Sequence, residues 1–472
     1  MLPMSGPAKE SRSCWKSMTG RPTTKVSRRS LLVGVGAAMI APRTAAAVLP
    51  QMAITPTSAL QDVPLSIRLS GLTPTSTVKV AAEMTARDGT VWRSHALFRA
   101  DGAGNVEVGS ARPLEGTYKD PSPMGLVWSM AREESSATAA PKRLRDPVNI
   151  TFSATGETGL SIQTTVERLL ADPRVTYRPL APSSQLRGGW WLPGGPGPHP
   201  AVIVLGGSGG GADHDRAALY ASHGFAALAL AYFGAPGLPR GLVNVPLEYV
   251  GSAIDDALDT VRPPREFVAV EGISRGGELA LLVGATFPKV RAVVGIMASG
   301  LVMGAFGEPE PGDPGPGVAW TLGKKPVPDL FAGNPRIDWS QSNPEVSLVP
   351  GYLAAMRDAP SVERATIAVE RIRGPVLLIT GKDDRLAPRF ELAEIARRRL
   401  ERHRHRWPYE HLSYENTGHT IAPPYIPATA DRFVHPLSKE VLALGGTTEG
   451  RAHANADWWP KTVAFLRAAS AR

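Results

Sequence analysis

The sequence predicts two domains of different class, an antiparallel β-sandwich followed by a mostly parallel α/β domain. Across residues 50–180 the apolar residues recur mostly at every second position, which is the spacing of strands with one buried face. From residue 201 onward, continuous apolar runs alternate with helical patterns. Such alternation is typical of buried parallel strands that helices cover on both faces. A chain of 472 residues is long enough to contain both domains.

Residues 1–47, which precede both domains, have the features of an export signal. SRRSLL at 27–32 places Arg28 and Arg29 before the apolar stretch LLVGVGAAMIA, and TAAA ends at Ala47. Paired arginines, a short apolar stretch and an A-x-A site are typical of a bacterial twin-arginine signal. We therefore expect an exported protein, periplasmic or extracellular, whose mature chain begins near Val48. If the start of the chain is incorrectly assigned, the expected location is the cytoplasm.

Charge and cysteine content exclude several classes of function. Residues 1–47 contain 8 of the 52 Lys and Arg residues but only 1 of the 43 Asp and Glu residues, so the mature chain is close to neutral. The basic character of the whole chain therefore gives no reason to expect a nucleic-acid partner. Cys14, the single cysteine, lies in the same segment, which excludes a disulfide framework and a cysteine nucleophile. No apolar run reaches the roughly 18 residues of an integral membrane span.

The first domain is predicted to consist of short strands such as LSIRLSG (65–71) and TVKVAAEM (77–84), separated by turn-rich segments. Residues 181–200, which end in GGWWLPGGPGPHP, are interpreted as a Gly/Pro-rich linker. The second domain, 201–472, has the predicted buried strands AVIVL (201–205), FAALALA (225–231), FVAV (267–270), AVVGIM (292–297) and PVLLIT (375–380). Residues 301–350, rich in Pro and Gly, are interpreted as an insertion over the carboxyl edge of the sheet, where a lid or substrate pocket could form.

Two serines stand in a G-x-S-x-G frame, Ser208 in GGSGG and Ser274 in GISRG. In an α/β-hydrolase domain the nucleophile lies on a sharp turn from a strand to a helix, with small residues two positions to either side. Ser274 fits this description because FVAV precedes it and the helix formers GELALLVGA follow at once. Ser208 is followed by further glycines, which begin a helix poorly. We therefore predict Ser274 as the nucleophile.

The glycine-rich segment 206–211 has a different predicted use. A flexible loop after an earlier strand can direct backbone N–H groups toward a developing oxyanion. We predict that Gly207 and Ser208 belong to this oxyanion loop, and that the other donor is the N–H of Arg275, immediately after the nucleophile.

A nucleophilic serine needs a base, and the base needs an acid that orients it, in the chain order Ser, acid, His. GKDDRLAP begins where the PVLLIT strand ends, so a carboxylate there would lie at the same sheet edge as Ser274. Asp384 is the preferred acid, and Asp383 remains an alternative because adjacent turn residues cannot be ranked from sequence. His419 is the predicted base, since it follows the candidate strand YEHLSY in the turn ENTGHTIAPP.

These motifs resemble the family of acyl-CoA thioesterases and bile acid-CoA:amino acid N-acyltransferases. PMGLVWSM in the first domain and GISRGGELAL, ITGKDDRLAP and TGHTIAPPYIP in the second carry the resemblance, which covers nearly everything after the signal. The resemblance implies an immunoglobulin-like sandwich, an α/β-hydrolase domain and a nucleophile–acid–histidine triad at Ser274, Asp384 and His419. Members that transfer acyl groups to amino acids typically have cysteine as the nucleophile, so the serine resembles the thioesterase branch.

The expected function is hydrolysis of an acyl thioester to free acid and thiol through an acyl-serine intermediate, with a small-molecule acyl thioester or ester as the substrate. No metal or organic cofactor is expected, because the triad and the oxyanion donors supply the chemistry. The alternatives are an exported carboxylesterase or lactone hydrolase, for which an export signal is easier to understand, and an acyl-CoA:amino acid N-acyltransferase. A binding protein without catalytic activity is a third alternative, which the complete triad disfavours.

Overall fold

A computed structural model describes residues 49–133, 144–156, 159–309, 315 and 317–472. The predicted export signal lies outside the described residues, as do residues 310–314 and 316 of the predicted insertion. From Val48 onward the chain forms one compact unit. Within the described part of the chain, we find no helix with the length and apolar character needed to cross a bilayer.

The N-terminal region consists of two sheets. One has three strands in the order β1-β3-β6, and the other has the order β2-β10-β9-β4-β5-β7, with β8 also paired to β5. All pairs are antiparallel except β2 with β10. The strands are β1 Gln51–Thr55, β2 Ser58–Leu60, β3 Ser66–Ser70, β4 Thr77–Thr85, β5 Val91–Arg99, β6 Val106–Glu107, β7 Glu115–Gly116, β8 Ala131–Arg132, β9 Val148–Gly156 and β10 Ser161–Leu169, and helix α1 spans Gly125–Trp128.

The two sheets bury their apolar residues in one shared core. Burial alternates along β1 and along β4, as the period of two in the sequence predicts. Ile54 and Leu69 of the smaller sheet belong to the same buried cluster as Val80, Phe98 and Phe152 of the larger one. The N-terminal sheets therefore stabilise each other through a common apolar interior.

The second region is built on an eight-stranded sheet in the order β11-β12-β14-β13-β16-β17-β20-β21. Strand β11 pairs antiparallel with β12, and β12 pairs antiparallel with β14. The six strands from β14 to β21 in this order run parallel to one another. This mixed sheet has the architecture of an α/β-hydrolase domain. Its strands are β11 Thr176–Pro179, β12 Arg187–Leu192, β13 Ala201–Leu205, β14 Ala226–Ala231, β16 Val268–Ile273, β17 Val290–Ile296, β20 Val376–Gly381 and β21 Tyr409–Tyr414.

The segment interpreted as a linker is different in the structure, because residues 187–192 form strand β12 inside this sheet. Gly188 has a φ of +136°, and a Cβ there would lie 1.9 Å from the carbonyl oxygen of Ala229 on the neighbouring strand. The glycine is there because two backbones approach closely. In the sequence, the same glycine adds to a Gly/Pro-rich composition that is typical of a linker. Trp190 and Trp191, which follow, are almost completely buried.

Helices cover both faces of the sheet. Residues of α3, α4 and α7 belong to one buried cluster and residues of α2 and α8 to another, while Ile203 and Val204 of the central strand β13 point to opposite clusters. The helices are α2 His214–Ser222, α3 Leu247–Asp256, α4 Arg275–Thr286, α5 Val349–Ala355, α6 Ala359–Ala365, α7 Arg389–Arg402 and α8 Thr448–Ser470. A π-helical turn, Ala257–Val261, extends α3.

Two small sheets lie outside the central sheet. One has the order β15-β18-β19 and the other pairs β22 with β23. Their strands are β15 Val245–Pro246, β18 Trp320–Leu322, β19 Lys325–Pro326, β22 Arg432–Val434 and β23 Val441–Ala443. The described part of the predicted insertion packs against α4, since the Trp320 indole N–H donates to Glu278 at 2.7 Å. The hairpin of β22 and β23 lies between His419 and helix α8 in the chain.

Candidate active site

Ser274 stands on a strained turn between strand β16 and helix α4. Its φ of 57° and ψ of −114° are outside the ordinary regions for a residue with a side chain. A Cβ at Gly272 would lie 2.1 Å from the carbonyl oxygen of Gly276, and a Cβ at Gly276 would lie 2.2 Å from the carbonyl oxygen of Gly206. The glycines at these two positions are therefore required by close packing. This is the physical reason for the G-x-S-x-G pattern around Ser274.

His419 connects Ser274 to Asp384. The Nε2 atom of His419 is 3.1 Å from the Oγ atom of Ser274, and its Nδ1 atom is 2.6 Å from the Oδ2 atom of Asp384. A carboxylate accepts hydrogen bonds only, so the Nδ1 atom carries a proton and the Nε2 atom can accept the proton of the Ser274 hydroxyl. Both histidine bonds thus have the polarity that activates a serine.

The carboxylate of Asp384 is held rigidly. Its side chain is 2% exposed, and its Oδ1 atom accepts the N–H groups of Leu386 at 2.8 Å and Ala387 at 3.1 Å. The backbone of Asp384 bridges to Gly445, and the N–H of His419 donates to the carbonyl of Leu444 at 2.7 Å. One short segment, residues 444–445, therefore positions both the acid and the histidine.

Asp383, the alternative acid, faces away from the histidine. Its Oδ2 atom accepts the N–H of Gly446 at 3.0 Å, and its side chain is 45% exposed. The structure thus decides between the two adjacent carboxylates and brings Asp384 to His419.

The glycine-rich loop lies beside Ser274, as the sequence predicts. A Cβ built on Gly207 would be 3.5 Å from the Cβ of Ser274. The hydroxyl of Ser208 does not face the same histidine, because it is 3.0 Å from the Nε2 atom of His435. The Nδ1 atom of His435 accepts from the N–H groups of Leu437 and Ser438.

This pattern separates the two serines chemically. Because two N–H groups point at the Nδ1 atom of His435, the neutral ring carries its proton on Nε2 and donates it to Ser208. A nitrogen that donates to a hydroxyl cannot also remove its proton. Ser208 is therefore not prepared as a nucleophile, although its sequence frame matches that of Ser274.

A cavity of about 800 Å³ opens next to the turn that carries Ser274. Gly207 and Ile273, which flank Ser274, form part of its wall. The N-terminal sheets supply the opposite wall through Met84, Trp92 and Ile150. Most of the lining surface is apolar, but charged side chains such as Arg87 and Arg168 also form part of the wall. The volume is in the range of pockets for small organic ligands. Within the described residues, no cluster of three or more His, Cys, Asp or Glu side chains has an arrangement that could hold a metal ion.

Comparison with known proteins identifies the family. The family model described as acyl-CoA thioester hydrolase/BAAT N-terminal region matches residues 62–181. The model described as BAAT/acyl-CoA thioester hydrolase C terminal matches residues 245–471. Human mitochondrial acyl-coenzyme A thioesterase 2 is 30% identical over 412 residues, which cover 86% of this chain and 81% of the human protein. The chain belongs to the acyl-CoA thioester hydrolase/BAAT family.

Other relatives include proteins named as thioesterases and a protein named as an N-acyltransferase. Human acyl-coenzyme A thioesterase 6 is 30% identical over 415 residues, covering 86% of this chain and 93% of that protein. Mouse acyl-coenzyme A amino acid N-acyltransferase 2 is 28% identical over 430 residues, covering 88% of this chain and 97% of that protein. The resemblance inferred from the sequence motifs is confirmed, and it spans both regions of the chain.

The backbone N–H of Arg275 is a predicted oxyanion donor, and the side chain of Arg275 belongs to a buried ionic cluster. Its Nη2 atom donates to the carbonyl of Met303 at 3.0 Å, and its Nη1 atom is 3.4 Å from the Oε2 atom of Glu278. The Oε1 atom of Glu278 accepts from the N–H of Met303 and from the indole of Trp320. The cluster ties the first turn of helix α4 to the insertion.

Glu271 is a second buried acid near this site, three residues before Ser274 in the chain. It is fully buried on the central strand β16, and burial raises its pKa to about 7, although the nearby Arg216 opposes this shift. The Oε1 atom of Glu271 is 3.3 Å from the Nε atom of Arg216. We interpret Glu271 as a group that titrates near neutral pH beneath the active site.

Sequence reasoning missed His435 and Glu278. The partner of His435, Ser208, is 227 positions away, and nothing in the local sequence RFVHPLSKE indicates it. Glu278 stands in a helical pattern as an ordinary helix former, and only the folded insertion shows what its carboxylate binds. The G-x-S-x-G frame of Ser208 is the one sequence signal that bears on His435, because it draws attention to the serine that His435 contacts.

Proposed function

We propose that this protein is a serine hydrolase that cleaves an acyl thioester to a free acid and a thiol through an acyl-serine intermediate. The observation that carries the proposal is the continuous chain from Ser274 through His419 to Asp384, with the nucleophile on a strained turn. The proposed roles are nucleophile for Ser274, general base and acid for His419, and orienting acid for Asp384.

In the proposed first step, the Nε2 atom of His419 removes the hydroxyl proton of Ser274 while the Oγ atom attacks the acyl carbonyl carbon. The negative charge on the carbonyl oxygen is stabilised by N–H groups of the loop that contains Gly207 and Ser208 and by the N–H of Arg275. When the carbon–sulfur bond breaks, His419 returns the proton to the leaving thiolate. Asp384 stabilises the imidazolium that forms in between.

In the second step, water attacks the acyl-serine carbonyl. His419 removes a proton from the water, the carbon–oxygen bond to Ser274 breaks, and the proton passes to the Oγ atom of Ser274. The products are the free acid and the unchanged enzyme. The same residues are used twice, so the step needs no further group from the chain.

Family membership favours coenzyme A thioesters as the substrate class. Relatives at 30% identity are called acyl-coenzyme A thioesterases, and the serine nucleophile resembles that branch. The cavity beside Gly207 and Ile273 offers apolar side chains to an acyl chain, and its wall also includes charged side chains such as Arg87 and Arg168. We propose that the acyl group lies there, between the N-terminal sheets and the strands of the hydrolase domain.

Two further proposals concern the rest of the chain. The shared core of the two N-terminal sheets supports the immunoglobulin-like sandwich that the resemblance implies, and an experimental structure of this region would test it. The twin-arginine pattern in residues 1–47 supports export. Both are independent of the chemistry at Ser274.

A fluorophosphonate probe tests the nucleophile. It should label the protein at one serine, and Ser274→Ala should remove the label while Ser208→Ala retains it. Ser208 is the matched control because it has the same sequence frame and its own histidine. A label that persists in Ser274→Ala would show that another serine is the nucleophile.

A hydrolysis screen tests the reaction class. Matched thioesters and oxygen esters of several chain lengths should be compared, with the products identified by mass spectrometry in the presence of excess glycine or taurine. We expect thioesters to be cleaved faster and free acid to be the main product. A preference for oxygen esters would identify a carboxylesterase, and amide as the main product would identify an acyltransferase.

A further inference from the structure

The hairpin β22–β23 carries a buried histidine that contacts the loop beside the nucleophile. His435 is 1% exposed, and its Nε2 atom is 3.0 Å from the Oγ atom of Ser208. The next residue in the hairpin, Pro436, lies near the same loop, since its Cγ atom would be 3.5 Å from a Cβ built on Gly209. The hairpin therefore contacts the glycine-rich loop through His435, and Pro436 lies beside that contact.

The ring of His435 is fixed in orientation and in tautomer. The N–H groups of Leu437 and Ser438 point at its Nδ1 atom at 3.2 and 3.4 Å. Phe306 and Phe433 pack edge-on against it, with ring centroids at 4.5 and 5.5 Å. Burial lowers the pKa of His435, which keeps the ring neutral, and the neutral ring donates from Nε2 to Ser208. The direction of the hydrogen bond is thus determined by the hairpin.

The loop that receives this hydrogen bond has little rigidity of its own. Residues 206–211 include five glycines and one serine, and glycine has the greatest backbone freedom of any residue. Ser208 is the only residue among these six with a side chain that can anchor the loop. A loop that stabilises an oxyanion must hold its N–H groups within a few tenths of an ångström of their working position. The two ends of the loop are anchored, since the Tyr232 hydroxyl donates to the carbonyl of Gly206 at 2.8 Å and the N–H of Gly211 donates to the carbonyl of Phe233 at 2.9 Å. The bond from His435 anchors the loop between those ends, at Ser208.

The same hairpin also supports the histidine and the acid of the triad. Leu444, just after β23, accepts the N–H of His419, and Gly445 bridges to Asp384. At the other end of the hairpin, His435 reaches Ser208. The hairpin and the two residues that follow it therefore contact both the glycine-rich loop and the residues proposed for proton transfer.

We infer that His435 is a positioning residue for the proposed hydrolysis: by donating to the hydroxyl of Ser208 it holds the N–H groups of Gly207 and Ser208 in place for the oxyanion. This inference rests on the proposed function. His435 does not touch the reacting atoms and acts only through Ser208. Its contribution should appear in the transition state, where the oxyanion exists, and not in substrate binding.

Two substitutions separate the two nitrogens of the ring. His435→Asn retains an acceptor where Nδ1 receives the Leu437 and Ser438 N–H groups, so the hairpin turn should remain, but it cannot reach Ser208. His435→Gln places an amide N–H near the position of Nε2 and can restore the bond. We expect His435→Asn to lower kcat about 10- to 100-fold with KM changed by less than about threefold, since loss of a whole oxyanion donor costs about 10²–10³. His435→Gln should recover at least half of that loss on a logarithmic scale.

A double-mutant cycle tests whether the effect passes through Ser208. If it does, Ser208→Ala should resemble His435→Asn, and the double variant should be no slower than the slower single variant. His411→Asn is the control for loss of a buried histidine, because His411 is also nearly buried and bonds Thr380 and Glu394 away from Ser274. It should lower the melting temperature without lowering kcat of the folded enzyme.

The outcomes distinguish this inference from the proposed function. If the parent protein neither hydrolyses thioesters nor reacts with a fluorophosphonate at Ser274, the proposed function fails. If the parent is active but His435→Asn keeps kcat within twofold, the positioning role is wrong. Multiplicative effects in the double variant, or a glutamine variant no better than the asparagine variant, would also overturn it, since the effect would then not depend on the bond to Ser208.

Discussion

Asp383 and Asp384 are adjacent in the chain, yet their carboxylates bind different groups. The Oδ2 atom of Asp384 is 2.6 Å from the Nδ1 atom of His419, whereas the Oδ2 atom of Asp383 accepts the N–H of Gly446 at 3.0 Å. Successive side chains of an extended turn point in different directions, so only one of the two can reach the histidine. The other stabilises the backbone of the segment that holds the histidine.

This difference predicts the effect of two matched substitutions. Asp384→Asn should lower kcat by about 10³–10⁴, because an amide can hold the wrong tautomer of the imidazole and does not stabilise its cation. The asparagine can still accept the N–H groups of Leu386 and Ala387, so the melting temperature should change little. Asp383→Asn should keep kcat within about threefold, since it retains an acceptor for Gly446. Steady-state kinetics and thermal melts of both variants check this, and a larger loss in Asp383→Asn would assign the acid to Asp383.

Glu271 predicts a pH dependence of stability. Its pKa is raised from 4.5 in the unfolded chain to about 7 in the folded protein. Below pH 4.5 the carboxyl is protonated in both states; between 4.5 and 7 only the unfolded state loses the proton, which favours unfolding. The stability contributed by the protonated group is thus present below the unfolded pKa and is lost as pH rises through the folded pKa. The loss is on the order of 3 kcal/mol.

Glu271→Gln removes this titration and is the matched comparison. Relative to the glutamine variant, the parent protein should lose free energy of unfolding as pH rises from 5 to 7 and should change little above that. Denaturant unfolding at several pH values measures the difference. If the difference in free energy of unfolding between parent and variant stays constant over this range, Glu271 is ionised and paired with Arg216 throughout, and the prediction is wrong.

The cavity predicts a dependence on acyl chain length. Ile426 lines the cavity and is half-buried, so Ile426→Trp should fill part of the 800 Å³ space. We expect kcat/KM for long acyl thioesters to fall by about tenfold or more, while that for acetyl thioesters stays within about twofold, since one methylene excluded from an apolar pocket is worth about 1–3 kcal/mol. Leu114→Trp, at an exposed position, is the control. Equal losses for all chain lengths would place the acyl group elsewhere.

The first 47 residues predict export. The tagged protein, expressed in a bacterium with a twin-arginine pathway, should be found outside the cytoplasm with a new N-terminus near Val48. Changing Arg28 and Arg29 to lysine should retain it inside, because the pathway requires the paired arginines. Fractionation and N-terminal sequencing check this. Full-length cytoplasmic protein in the unaltered chain would contradict it and would favour an intracellular coenzyme A thioester as the substrate.

Several features of this protein could be read from the sequence because they depend on neighbouring residues. The strands AVIVL, FVAV and PVLLIT lie where their apolar runs predict, since burial on both faces requires apolar side chains at successive positions. The turn at Ser274 could be predicted for a similar reason. Gly272 and Gly276 are needed within two residues of the serine, so the steric requirement is visible in five letters.

Other features depend on contacts between distant segments, and only the tertiary structure decided them. The choice of Asp384 over Asp383 depends on residues 444–446, and the orientation of His435 depends on a serine 227 positions away. The glycines at 188 and 189 resemble a linker in the sequence, but Gly188 allows β12 to approach β14 closely and Gly189 leaves room for the ring of Tyr177 on β11. The cavity exists only where the N-terminal sheets meet the hydrolase domain. Local periodicity determines which segments become strands and helices, whereas the directions of individual side chains depend on how those elements pack.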